Sequence, residues 1–289
     1  MRVTTIKSAT LLGAALFCAH GAAAADLTAT RTIEDSVPVG GERELVVIVD
    51  NMFGAIHVTA HDRDTIELKA VETVRGKLQA DLDRARAEVG LRTEHEPGRV
   101  AFRVRRLDDK GCTDCNNWGR NRWDGYTVAY DIELKIPRNA AVDLNNVNGD
   151  TVVDGVRGDF EVRNENGGMR LTGLEGSGKL STVNGRIDAA FAGAPKSATS
   201  FETVNGKVDV TFPPDLKADL AFETMHGDMF TDFETQPIAV AAQSNEPVRS
   251  GGKFLFRSGR PSSVRVGAGG PTYSFKTLNG EIYVRKGAR

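Results

Sequence analysis

The second half of the chain alternates apolar and polar residues on both sides of a turn that recurs at a nearly constant interval. The turn is Asn-Gly or, once, His-Gly, at Asn148-Gly149, Asn166-Gly167, Asn184-Gly185, Asn205-Gly206, His226-Gly227 and Asn279-Gly280. The first five of these sites lie 18, 18, 21 and 21 residues apart. This period suits one coil of a β-solenoid, which has two short strands and two turns. The glycines predict turns with positive φ.

Residues at equal distances from each turn share a character, which predicts columns that stack from coil to coil. Four residues before the turn Asn or His lie Leu144, Val162, Leu180, Phe201, Phe222 and Phe275. Two residues before it lie Asn146, Asn164, Thr182, Thr203, Thr224 and Thr277. In chain order, Phe201 should therefore stack directly on Phe222. An earlier coil is predicted around Gly54, where Phe53 replaces the turn asparagine.

Upstream of these repeats the period changes once. Leu78, Leu82, Ala85 and Val89 follow helical spacing and predict one short amphipathic helix over 77–89. Runs rich in β-branched residues surround it, and Pro137 ends the last of them. The sequence thus predicts an all-β fold, a single-stranded β-solenoid with 18–21-residue coils and one helix in an N-terminal insert.

Three segments follow from this pattern. Residues 1–25 are predicted to be a signal peptide, 26–140 an N-terminal β-rich region with the helix and a Cys/Trp loop, and 141–289 the solenoid repeats, continuous with the part before. Within the repeats, residues 234–270 break the period with proline and paired glycines. We expect degenerate coils in that stretch.

The first residues carry the features of a secretory signal: Arg2 and Lys7, an apolar run and then four alanines before Asp26. Export to the periplasm or the cell surface is therefore expected, and no further apolar stretch is long enough for a transmembrane segment in the mature chain. Without Arg2 and Lys7, the 37 basic residues become 35 against 39 acidic ones, a net charge of −4. This balance gives no electrostatic footprint for nucleic acid.

A polar loop in the N-terminal region holds the cysteines of the predicted mature chain, Cys112 and Cys115. In an oxidising compartment this pair favours a local disulfide, while a metal half-site and a redox pair remain open alternatives. The same loop holds residue types that often anchor contacts, namely Trp118, Arg120, Arg122 and Trp123. We therefore consider it a candidate contact loop.

Other motifs point to structure more than to chemistry. Gly173–Leu180 resembles a phosphate-binding loop but lacks Ser or Thr after Lys179 and a following helix. Arg157-Gly158-Asp159 reads as a cell-attachment triplet at a predicted coil corner. Glu202 and Glu223 are predicted to be neighbours on an outer face. No catalytic, cofactor-binding or metal-ligating residue is predicted.

The stacked columns, the Val-Asn-Gly turns, the leading signal, the helix-bearing insert and the strand that ends at Pro137 resemble one known family. It is the putative-adhesin family of bacterial envelope proteins, a β-strand-repeat domain of unknown function. The resemblance spans roughly Asn51 to Val284. It implies an exported, non-enzymatic β-solenoid and brings no catalytic residues with it.

Two functional classes follow. The first is an adhesin-like envelope interaction or structural protein, whose partner would be an envelope protein or a polysaccharide. The alternative is an enzyme on carbohydrate polymers, with carboxylates such as Glu202 and Glu223 on an outer sheet.

Overall fold

Alternation of buried and exposed side chains produces strands along nearly the whole chain. The computed structural model describes residues 26–40, 44–107, 125–238, 248–250, 253–256 and 262–288. The expectation of a mostly β protein with one helix is confirmed for these residues. The predicted signal peptide and the Cys112–Trp123 loop lie outside them.

The helix and strands are numbered here in chain order. The helix is α1 (Gln79–Glu88). The strands are β1 (Leu27–Pro38), β2 (Val46–Phe53), β3 (Ile56–His61), β4 (Thr65–Gly76), β5 (Val89–Glu96), β6 (Arg99–Arg106), β7 (Tyr126–Pro137), β8 (Ala141–Asn148), β9 (Thr151–Asp154), β10 (Phe160–Asn166), β11 (Met169–Leu174), β12 (Gly178–Asn184), β13 (Ile187–Phe191), β14 (Thr199–Asn205), β15 (Val208–Phe212), β16 (Ala218–His226), β17 (Met229–Thr231), β18 (Thr235–Pro237), β19 (Val248–Ser250), β20 (Lys253–Phe256), β21 (Ser262–Val266), β22 (Thr272–Asn279) and β23 (Ile282–Lys286).

These strands form two large mixed sheets. The 12-stranded sheet has the order β1-β4-β7-β3-β9-β11-β13-β15-β23-β17-β20-β19. The 11-stranded sheet has the order β18-β21-β16-β22-β14-β12-β10-β8-β2-β6-β5. Their interior faces bury the apolar columns between them. Because consecutive strands such as β8 and β9 fall in different sheets, each such pair makes one solenoid-like coil.

The central coils stack in parallel and in register. Val162 pairs with Leu144 on one side and with Leu180 on the other, as the columns predict. The early coil around Gly54 also joins the stack, because Phe53 pairs with Asn148 and Ile56 with Thr151. Each coil thus buries an interior side that it could not bury alone.

Polar side chains and glycines hold the turns of neighbouring coils close together. Asn146 Nδ2 donates to the carbonyl oxygens of Gly54 and Gly149, at 3.0 and 3.1 Å. Thr203 Oγ1 donates to the Gly185 carbonyl oxygen at 3.0 Å. A Cβ atom on Gly206 would overlap that same Gly185 oxygen. Close backbone approach therefore excludes any larger residue from this turn.

The expected positive φ is not general. Gly149 has φ +141°, but Gly206 is not in the left-handed region, so that expectation is wrong at Gly206. Glycine is nevertheless needed at Gly206, because adjacent coils bring the turn backbones into contact at every repeat, whatever the local φ. At Gly206 the requirement for glycine is therefore set by the neighbouring coil, whereas at Gly149 both the neighbouring coil and the positive φ require it.

The order of the coils in space differs from their order along the chain. The coil β22/β23 lies between β14/β15 and β16/β17, and it is parallel to both. Phe275 accordingly stacks on Phe201 at 5.0 Å and on Phe222 at 5.3 Å between ring centroids. Direct stacking of Phe201 on Phe222 was therefore a wrong expectation, although both are buried on the interior side. Equivalent repeats fit any slot of matching register, so their period does not fix their spatial order.

Antiparallel strands cover both ends of the stack. β21 is antiparallel to β16 and β20 to β17, so the described strands within 234–270 are not the degenerate coils that we expected. At the other end β1 pairs with β4 and β5 with β6, also antiparallel. Helix α1 packs there with Leu82 and Ala85 buried, as its spacing predicts. Covered ends protect parallel coils from pairing with other chains.

Candidate functional site

A row of exposed apolar side chains crosses the outer face of the 11-stranded sheet. Each belongs to the residue just before the turn Asn or His, and the exposed fractions are 42% for Val183, 37% for Val204, 40% for Leu278 and 60% for Met225. Their strands β12, β14, β22 and β16 are consecutive neighbours. We call these four residues the apolar row.

A second row lies two residues earlier on the same strands. Ser181 pairs with Glu202, Glu202 with Lys276 and Lys276 with Glu223. The groove between the two rows has a volume of about 350 Å³ and is floored by the threonine column. A second depression of about 310 Å³ continues it past Val147, Arg163 and Val183. We call the two together the outer groove.

Ion pairs fix the charged side of the outer groove. Lys276 Nζ lies 3.1 Å from Glu223 Oε1, and Lys179 Nζ lies 2.8 Å from Glu202 Oε2. The expectation that Glu202 and Glu223 are neighbours is wrong, because the inserted strand β22 places Lys276 between them. Each carboxylate is therefore paired with a lysine, and the row alternates in sign.

A polar and aromatic cluster occupies the outer face of the other sheet. The rings of Phe230 and Tyr283 stack at 4.8 Å, and Lys207 Nζ lies 4.1 Å from the Tyr283 centroid. Arg285 donates two hydrogen bonds to Asp209, at 2.6 and 3.0 Å. Burial raises the pKa of Asp209, but the bonds from Arg285 and Lys207 outweigh it and hold that pKa below its usual value. Since Phe230 and Lys207 both pack on Tyr283, this ring is not a free stacking platform.

The motifs singled out in the sequence prove to be structural where they are described. Arg157 Nε donates to Glu175 Oε1 at 2.9 Å, and Asp159 Oδ1 accepts from the Ser177 backbone N–H at 3.0 Å. These bonds brace a coil corner. A Cβ atom on Gly178 would overlap the Phe160 carbonyl oxygen, and the strand β12 begins there. Stacking of the coils therefore requires the glycine at this position, and this requirement explains the resemblance to a phosphate-binding loop.

The turn asparagines form a ladder along one edge of the stack. Asn166 donates to Asn148 at 3.2 Å, Asn184 to Asn166 at 2.9 Å, Asn205 to Asn184 at 2.9 Å and Asn279 to Asn205 at 2.8 Å. Each bond runs from Nδ2 to Oδ1, so a donor in one coil meets an acceptor in the next. The ladder has a structural role in joining the coils.

The described residues include neither a group of side chains arranged to hold a metal ion nor the predicted Cys/Trp loop. Among the described residues, no group of three or more His, Cys, Asp or Glu side chains is arranged to hold a metal ion. The predicted disulfide Cys112–Cys115 and the contact residues Trp118, Arg120, Arg122 and Trp123 lie outside the described part of the chain.

No helix in the described ranges has both the length and the apolar character that crossing a membrane requires.

Sequence reasoning missed the outer groove although its signal is present. An apolar residue stands directly before the turn Asn or His in four neighbouring coils, at Val183, Val204, Met225 and Leu278. This column falls on the outer face by strand alternation, where apolar residues are not needed for folding. The recurrence of apolar residues at this exposed position is the sequence signal that indicates a contact surface.

One family model matches part of the chain, and solved structures of low sequence identity are similar to it. The model of the family described as Toastrack DUF4097 matches residues 127–252, which confirms the family resemblance. A putative cell adhesion protein from Clostridium sporogenes is 11% identical with a TM-score of 0.43, covering 90% of this chain and 100% of that one. A putative adhesin from Bacteroides fragilis is 11% identical with a TM-score of 0.37, covering 88% and 96%. No curated protein matches the chain.

Proposed function

We propose that this protein, which resembles the family described as Toastrack DUF4097, is an exported envelope protein that works by contact with another protein and not by catalysis. Its coils, which we take to be a single-stranded β-solenoid with a period of 18–21 residues, would supply a rigid support. The contact surface would be the outer groove. The observation that carries the proposal is the apolar row, whose four side chains are 37–60% exposed on neighbouring strands.

Exposed apolar residues that are contiguous mark contact sites more often than scattered ones do. In the outer groove, the aliphatic side chains of the apolar row lie beside a row of charges, which gives an apolar centre with a polar rim. Burying Met225 or Leu278 under a partner would remove apolar surface from water and stabilise the complex. A ridge of aliphatic side chains on another protein fits this surface.

A protein partner suits the groove better than a polysaccharide. The groove segment of about 350 Å³ is lined by Ser181, Thr182, Glu202, Thr203, Val204, Glu223, Thr224, Met225, Lys276, Thr277 and Leu278, with no aromatic ring among them. Sugars usually pack their rings on aromatic faces, whereas aliphatic side chains complement other aliphatic side chains. Polysaccharide binding is therefore the alternative that the binding experiment below must be able to detect.

The non-enzymatic assignment is supported by the charges beside the groove. A glycosidase site needs two carboxylates that flank one bond and differ in protonation. Here Glu202 is paired with Lys179 and Glu223 with Lys276, and both glutamates are partly exposed. Export, to the periplasm or the cell surface, is proposed from Arg2, Lys7 and the apolar run after them.

The test uses the full chain as bait for envelope proteins of its own cells. The groove variant Leu278→Lys/Met225→Lys places two charges in the apolar row. The control Leu78→Lys changes an exposed side chain, 64% accessible, just before helix α1. We expect the groove variant to lose the proteins that the wild type and the control retain.

Folding must be checked in parallel, because a lost partner could reflect a lost fold. Both groove positions are exposed, so the melting temperature should change little. Capture of the same proteins by the folded groove variant would overturn the assignment of the contact to this groove. Binding of isolated cell-wall polysaccharide that the variant abolishes would instead make the partner a carbohydrate.

A further inference from the structure

The coil β22/β23 occupies a slot between two coils that precede it in the chain. β22 is hydrogen-bonded to β14 on one side and to β16 on the other. β23 likewise lies between β15 and β17. The chain must therefore leave the coil β16/β17, form the end strands and return to insert its last coil.

The two walls of this slot match each other. Phe201 and Phe222 both pair with Phe275, and Thr203 and Thr224 both pair with Thr277. In the other sheet, Val208 and Met229 both pair with Ile282. Since all three coils share one register, the walls could also pair directly if the inserted coil were absent.

Specific contacts favour the inserted coil over closure of the slot. Lys276 separates Glu202 from Glu223, and closure would set these like charges side by side. The Tyr273 hydroxyl donates to the Pro195 carbonyl oxygen at 2.6 Å in a buried position. Arg285 holds Asp209 with two hydrogen bonds. The slot is thus built to receive this coil.

A glycine-rich crossing connects the inserted coil to the rest of the chain. Residues 267–271 lead from β21, on the far side of β16, to β22. Gly267 has φ +60° and Gly269 has φ +76°. A Cβ atom on Gly270 would lie 2.6 Å from the Lys217 carbonyl oxygen, so the crossing passes tightly over the chain before β16. The crossing is the point at which the path of the coil could change.

We propose that residues 272–286 form an exchangeable coil that inserts into the slot of a second copy of this chain. Every contact of the coil would be the same in the exchanged dimer, with the difference confined to residues 267–271. Because the dimer forms from two chains, its share should increase with protein concentration. The partner in this proposal is an identical chain, so it does not depend on the proposed envelope contact.

The test traps the coil with engineered cysteines in full-length chains. Ser200 and Ser274 pair across β14 and β22 on the outer face and are half-buried. A Ser200→Cys chain labelled with heavy nitrogen is mixed with an unlabelled Ser274→Cys chain, concentrated, warmed and oxidised. We expect a disulfide between the two chains, identified by mass spectrometry of the linked peptides, which also separates it from products of Cys112 and Cys115.

A matched mixture measures chance collision. Ser263 is equally half-buried but lies on β21, separated from β14 by β16 and β22. Mixing Ser200→Cys with Ser263→Cys should give little interchain product. The double variant Ser200→Cys/Ser274→Cys, oxidised within one chain beforehand, should lose the dimer altogether.

Size-exclusion chromatography of the unmodified chain provides a second readout. A dimer that appears after concentration and warming, and that the oxidised double variant does not form, supports exchange. The proposal is overturned if the Ser200–Ser274 mixture gives no more interchain product than the control. It is equally overturned if the oxidised double variant dimerises as the wild type does.

Discussion

The coils of β8–β13 and the coils formed by β14–β17 with β22–β23 share one backbone repeat but differ on both of their faces. In the interior, the same column holds Leu144, Val162 and Leu180 in the first set and Phe201, Phe275 and Phe222 in the second. On the outer face, the residues before the turn are Val147, Glu165 and Val183 in the first set, where Glu165 interrupts the apolar column, and Val204, Leu278 and Met225 in the second. The turn sets the register of the backbone, and the side chains in each column can differ between the two sets of coils.

The two sets of coils show that one repeat can serve two roles, stabilising the interior and presenting an outer surface. The phenylalanine column adds stacked aromatic contacts at 5.0 and 5.3 Å, which strengthen the part of the stack where the chain order is interrupted. The same coils carry most of the apolar row outside. The later coils thus combine the aromatic interior column with three of the four residues of the apolar row, which is the combination that the proposed contact role needs.

The largest effect should come from the interior of the later coils. Phe275→Ala removes the middle ring of the column, and we expect it to destabilise the protein by about 3–5 kcal/mol, the usual range for a buried phenylalanine. Phe230→Ala is the control, because Phe230 lies on the outer side and is only half-buried. Urea unfolding would measure both. A cost for Phe230→Ala as large as that for Phe275→Ala would refute the assignment of stability to the interior column.

A smaller but sharper effect is expected at the turns, where both sets of coils are alike. Gly206→Ala would bring a Cβ atom against the Gly185 carbonyl oxygen, a backbone atom that cannot move away. We expect a loss of about 1–3 kcal/mol from this overpacking. Gly193→Ala is the control, since its Cβ atom would lie 3.7 Å from the nearest side chain.

The control glycine should respond in the opposite sense. Gly193 lies outside the left-handed region, so alanine there should be neutral or stabilise by up to about 1 kcal/mol through the unfolded chain. Thermal melts of the two variants would decide. Equal melting temperatures for Gly206→Ala and the wild type would show that the coils tolerate a wider spacing at the turn.

The columns and the turns were predictable because the same residue types recur at the same positions in each repeat. The buried position of Phe201 and the polar column at Thr203 follow from alternation around a fixed turn, whereas the need for glycine at Gly206 comes from the close approach of the neighbouring coil. The helix was predictable from Leu82 and Ala85, which are buried, although Leu78 proved exposed. Local periodicity specifies which face a residue occupies.

The spatial order of the coils was not predictable from the same information. Residues 201, 222 and 275 are interchangeable within their column, and nothing local says which pair is adjacent. The order of the coils is instead set by long-range interactions, such as the pairing of Lys276 between two glutamates, and by the path of residues 267–271. The outer groove was missed for a related reason, since its residues become neighbours only when that order is known.

The smallest predicted effect concerns the charges on the outer face of the later coils. Hydrogen bonds from Arg285 and Lys207 hold the pKa of Asp209 below its usual value, against the effect of burial. A lowered pKa in the folded state contributes stability above the ordinary carboxyl range and loses it as the pH falls through the folded value. Asp209→Asn should therefore be less stable than the wild type at neutral pH, by on the order of 1 kcal/mol or less because Arg285 is partly exposed.

This difference should shrink when unfolding is measured below the ordinary aspartate pKa of about 3.9. Asp228→Asn is the matched control, because Asp228 is exposed in the turn of the coil β16/β17. A stability difference for Asp209→Asn that is the same at neutral and acidic pH would mean that the carboxylate acts by shape and not by charge.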